Sequence, residues 1–111
     1  QVRPPDAPLW ERSAENWLLD ICPPEFRTYR ALRGDLVVLV RFAVLHVEAC
    51  QQACDRGVSQ ARGELRDFTT PEVLEEAIET FQSERARLLG VRRAVGLVEE
   101  ALRGRRFAAR L

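Results

Sequence analysis

Between Leu36 and Phe68 the apolar residues Leu36, Val40, Ala43, Val47, Cys50, Cys54, Val58, Ala61, Leu65 and Phe68 recur at steps of three and four. At about 100° per residue these positions stay within an arc of about 80°, a stripe that only an α-helix keeps on one side. Asp35 stands where an N-cap is wanted, so the pattern predicts a helix over 36–67. Gly57 and Gly63 each cost about 1 kcal/mol against Ala in a helix interior. A break at Gly57 is the alternative, but the unbroken stripe favours continuity. Further on, Leu74, Phe81, Leu88, Val95 and Leu102 repeat every seven residues, interleaved with Ala77, Val91 and Val98. A strict heptad implies left-handed supercoiling against a partner helix.

Phe68-Thr69-Thr70 forms the turn between the two patterns. Thr69 with Glu72 fits a capping box, and Thr70 before Pro71 fits an N-cap with proline at the first helical position. Either start predicts a helix over 71–103, closed by Gly104 and a basic tail over 104–111. So short a turn makes the two helices antiparallel, each spanning about 50 Å.

Upstream, Trp10, Ala14, Trp17 and Ile21 follow steps of four, three and four, which predicts a short helix over 9–21 that buries both tryptophans. Cys22-Pro23-Pro24 stops it, because a residue before proline avoids the α region. A second short helix over 24–33 then ends at Gly34, read as a left-handed C′ residue. Residues 1–8 hold three prolines and read as a flexible arm. The fold expected is all-α: one helical domain over 9–111, a helical hairpin with two short N-terminal helices.

The segment Leu36 to Val47 is apolar nearly all round. Val37, Val38, Leu39, Val44 and Leu45 lie off the inner stripe and need a second surface. Self-association follows as an expectation, with a homodimer completing a four-helix bundle through Val37, Val38, Val44 and Leu45. The alternative is that the Trp-bearing helix covers these residues within one chain.

Composition narrows the picture only a little. At 111 residues, with 46% apolar and 31% charged residues, the chain is globular in character. Its longest uncharged apolar run, Leu36 to Val40, closes at Arg41, so no segment is expected to span a membrane. No basic-then-apolar leader opens the sequence, and a start at Gln reads as a trimmed or processed end. The expectation is a cytoplasmic protein. All seventeen basic residues are Arg, which fits codon usage in a GC-rich genome, such as a bacterial one. Net charge is zero, so nucleic acid is not an expected partner along the body.

Charge is split, however. Residues 64–84 carry seven carboxylates against Arg66, while 85–111 carry eight Arg against Glu99 and Glu100. The turn end is thus acidic and the open end basic, where Arg27, Arg30 and Arg33 join it. Much of this complements the helix dipole. The functional alternative is an acidic or phosphorylated partner held by Arg103, Arg105 and Arg106. Glu84 occupies a seam position between Ala77 and Val91, facing the region of Cys54 and Asp55. As a buried polar group it needs a partner, with Arg56, Arg85 and Arg87 nearest in sequence.

Candidate metal chemistry is confined to His46, Cys50 and Cys54, spaced by four and four. One pair could share an ion, but His46 to Cys54 is a rise of about 12 Å, too far for one coordination sphere. Further ligands would come from Cys22, Cys54 or a second subunit. Cys22 followed by His46-x-x-x-Cys50 resembles the ligand pattern of small helical copper-sensing repressors, and the resemblance covers these three residues alone. It implies a copper(I) site across a dimer interface. Read from their positions, Cys50 and Cys54 lie inside the packing stripe as small apolar residues. No glycine-rich phosphate loop, nucleophile elbow or His-Glu-x-x-His is present. The expectation is a non-enzymatic homodimeric interaction or regulatory protein with an unknown protein partner and no cofactor. A metal or thiol sensor, and a binder of nucleic acid or phosphorylated ligand, stand as alternatives.

Overall fold

The structure, a computed structural model, describes residues 9–110, with side chains through Gly104. The proposed arm over 1–8 lies outside the described residues, as do the side chains of Arg105 and Arg106. All regular structure among the described residues is helical, with no strand, and a long helix α3 (Leu36–Arg62) packs against a long helix α4 (Pro71–Arg110). The chain divides into two compact units, one reaching to His46 and resuming at Ala94, the other covering Val47–Arg93.

In the first unit, α1 (Leu9–Ile21) precedes a 3-10 turn at Pro24–Thr28 and a single helical turn α2 (Arg30–Arg33). The helix expected over 24–33 is therefore broken, at Tyr29, whose φ of −91° and ψ of 110° are extended. Gly34 is right-handed (φ −91°, ψ −11°), not left-handed, and its N–H donates to the Arg30 carbonyl at 3.0 Å. The Asp35 carboxylate caps α3 as expected, accepting from the N–H groups of Val37 at 3.0 Å and Val38 at 3.3 Å.

The buried side of α1 is Glu11, Ala14, Leu18 and Leu19. Trp10 remains 41% exposed, while Trp17 and Ile21 are half-buried. On a helical wheel the Trp10, Trp17 and Ile21 positions sit about 60–100° to one side of Leu18. The steps of four, three and four were a real face, but the leucines won the core and the tryptophans cover its flank. Leu18 joins Leu39, Val40, Ala43, Val44, Val95 and Leu102 among the fully buried residues of this unit.

The second unit is a plain antiparallel hairpin. Val47, Cys54 and Ala61 of α3 and Leu74 and Leu88 of α4 are its buried apolar residues. Helix α3 passes Gly57 without a break and ends at Arg62, followed by a 3-10 turn at Glu64–Asp67. Gly63, with φ −116° and ψ −94°, throws the chain out of helical phase. The stripe is lost there, which leaves Leu65 42% and Phe68 81% exposed. Thr70 is the N-cap of α4, its hydroxyl accepting from the Val73 N–H at 3.3 Å. At its far end α4 continues through Gly104 to Arg110, so the expected stop and basic tail are replaced by helix.

Gly57 has a packing role. A Cβ there would lie 2.6 Å from the Phe81 ring. The glycine lets that heptad residue lie flat against α3, and this close approach explains why continuity survives its low helix propensity.

One expectation about membranes needs correcting. Helix α3 is long and apolar enough to cross a membrane by length and composition, taken over its most apolar stretch of 18 residues. An uninterrupted apolar run is a stricter test than an average, and the average tolerates isolated charges such as Arg41. Only 28% of that stretch is buried. Phe42, Leu45 and Ala49 are the exposed apolar residues in the first half of α3.

Candidate functional site

Helix α3 carries two apolar faces. The inner one holds Val40, Ala43, Val47 and Cys54, all buried. On the opposite side Val38, Phe42, Leu45 and Ala49 follow steps of four, three and four, within an arc of about 60°. Phe42 and Leu45 are each 46% exposed, Ala49 is exposed and Val38 half-buried.

Of the four residues expected at an interface, Leu45 and Val38 lie on this outer face, Leu45 exposed and Val38 half-buried. Val37 is half-buried off the stripe. Val44 is only 1% exposed and belongs to the core of the single chain, so it leaves the set. Phe42 and Ala49 were missed, although their spacing from Val38 and Leu45 was visible. Two charges border the face: Arg41 is exposed, and Glu48 accepts from Arg92 Nε at 3.3 Å with its side chain still 46% exposed.

The thiols and the imidazole sit apart in character. His46 packs its ring near Phe26, with centroids 6.4 Å apart and planes at 57°. Cys22 and Cys54 are buried and Cys50 is half-buried, and none of the three is in a disulfide. Burial pushes the Cys54 thiol up from its ordinary range, and the negative charge of Glu84 adds to the push. A raised thiol is a poor metal ligand and a poor nucleophile. Among the described residues no group of three or more His, Cys, Asp or Glu comes together to hold a metal ion. The copper-sensor pattern of Cys22, His46 and Cys50 is thus not assembled within one chain.

Glu84 is not a buried polar group. Its side chain is 44% exposed and takes a two-pronged contact from Arg87, with Nε to Oε1 at 2.9 Å and Nη2 to Oε2 at 2.6 Å. That hydrogen bonding holds its carboxyl below the usual range. Asp55 pairs with Arg85 at 2.7 Å. One helical step separates the two acids' roles: Asp55 ties α3 to α4, whereas Glu84 is satisfied within α4.

Basic residues form one shallow cleft of about 410 Å³, lined by Arg27, Thr28, Arg30, Arg33 and Gly34. Arg27 is already paired with Asp20, and Glu25 and Asp35 balance the other two in the same segment. Arg103 is exposed and borders a smaller cleft with Val37, Val40, Arg41, Glu99 and Leu102; it lies within α4 and not on a tail. The outer face of α3 is the feature with the least competition from within the chain. Comparison with known proteins adds nothing to this geometry, since no family model, no curated protein and no solved structure matches the chain.

Proposed function

We propose that this chain is a non-enzymatic helical interaction protein that acts as a homodimer, using the outer face of α3 to hold its second copy. The observation that carries this reading is the pair Phe42 and Leu45, both half exposed on the helix whose most apolar stretch is mostly unburied. Contiguous exposed apolar side chains bordered by charge mark sites of association. Pairing there would bring α3 and α4 of each copy into one four-helix assembly with the two α3 helices at its centre. A further, unidentified protein would then dock on the remaining helical surfaces.

Two single substitutions test it. Leu45→Arg puts a charge into the outer face without touching the core, so helicity by circular dichroism should be unchanged while light scattering shows dimer turning to monomer. Gln82→Arg, at an exposed position of α4, should keep the native mass. If both variants scatter like the native chain, the face is not used. Val44→Arg is unsuitable, because it would bury a charge in the core of the first unit.

A further inference from the structure

We infer that the two copies pair through antiparallel α3 helices, about a two-fold axis between Ala43 and Val44, with Phe42 against the partner's Leu45 and Arg41 beside the partner's Glu48. This rests on the homodimer reading above and adds its geometry. Only α3 enters the argument, as one continuous helix from Leu36 to Arg62.

The spacing of Val38, Phe42, Leu45 and Ala49 is four, three and four, which reads the same from either end. A half-turn about the midpoint carries position 42 onto 45 and position 38 onto 49. Each larger residue then meets a different one: Phe42 meets the partner's Leu45, and Val38 meets the partner's Ala49. Such an interface is isologous and closes on itself, as two-fold dimers require. Parallel pairing would set Phe42 on its own copy at one level and Ala49 on its own copy at another. That leaves the helices wedged apart at one point and underpacked a turn or two away.

Charge points the same way. Arg41 and Glu48 lie on the same edge of the apolar face, about 20° apart around the helix. The two-fold brings that edge against its equivalent. Arg41 then lies about two residues, or 3 Å of axial rise, from the partner's Glu48. The contact occurs twice by symmetry. Among the described residues Arg41 makes no ion pair, and Glu48 keeps half its surface free beside Arg92. Parallel pairing would instead carry the shared edge to the opposite side of the interface, leaving Arg41 without the partner's Glu48 and forfeiting this complementarity.

The direct test is a distance between two copies. Gln60 is exposed on α3, and a ketone-bearing residue there can carry a nitroxide without disturbing the native thiols. Antiparallel pairing about the stated axis separates the two labels by 33 residues of rise, or about 50 Å. Pulsed dipolar spectroscopy of the 111-residue chain should find that distance. A distance below about 20 Å would mean parallel pairing and overturn the inference while leaving the homodimer intact. Absence of any dipolar signal at a concentration where the native chain should be dimeric would overturn the homodimer reading and this geometry with it.

A second measurement checks the register. Arg41→Ala and Glu48→Ala should each weaken the dimer by about threefold to tenfold, and the double variant no further than either single one. Losses that multiply in the double variant would show that the two side chains do not meet, and would overturn the stated axis.

Discussion

The Cys54 thiol is buried and stands close to the Glu84 carboxylate, and both conditions keep its proton on. Cys50, one turn earlier, is half-buried. Iodoacetamide at pH 8 should therefore modify Cys50 in the folded chain and reach Cys54 only after unfolding, as read by peptide mass. The linkage sign follows from the raised thiol. Its contribution to stability is fully present below the unfolded thiol's range and is lost as pH rises through the folded value. Replacing Cys50 and Cys54 together by Ala should cost about 1–2 kcal/mol for the pair, with oligomeric state unchanged. Stoichiometric copper or zinc in native protein purified without chelator, lost in that variant, would instead revive the metal-sensor alternative.

Within elements, the heptad of α4 shows what sequence can and cannot reveal. Leu74, Leu88, Val95 and Leu102 are buried, as their spacing requires. Phe81, at the same heptad position, is only half-buried because it lies over Gly57. Periodicity identifies which residues face inward, but not which small residue on the facing helix makes room. The same limit applies to α1, where both the tryptophans and the leucines recur at helical steps and only packing decides between them. Phe68 was lost for a different reason: Gly63 shifts the helical phase, and no periodicity argument survives such a shift.

The Gly57–Phe81 contact yields a testable contrast between glycines. Ala at 57 would gain up to about 1 kcal/mol of helix propensity. It would lose about 1–3 kcal/mol to the clash with the ring. Thermal melts should therefore show Gly57→Ala destabilised, and Phe81→Leu in that background should recover part of the loss. Gly90, where a Cβ meets nothing within 4 Å, should behave oppositely and raise the melting temperature when changed to Ala. Equal stabilisation by both substitutions would show that Phe81 does not rest on Gly57.

For the whole molecule, the helical class and the pairing of two long helices were legible because a ten-residue stripe and a heptad each demand a partner. The outer face of α3 was only half legible. An apolar segment without periodicity says that two surfaces are needed, not which residue serves which. Val44 went inward and Phe42 outward, and either assignment satisfied the sequence. The apolar centre that results has only four residues a side, far fewer than a standard interface holds in all, so association should be weak and is read at high micromolar concentration. Sedimentation equilibrium of the native chain at that concentration tests the central claim most directly. A mass of about twice the 12.7 kDa chain is the predicted result, whereas a single ideal species at the chain mass would contradict it.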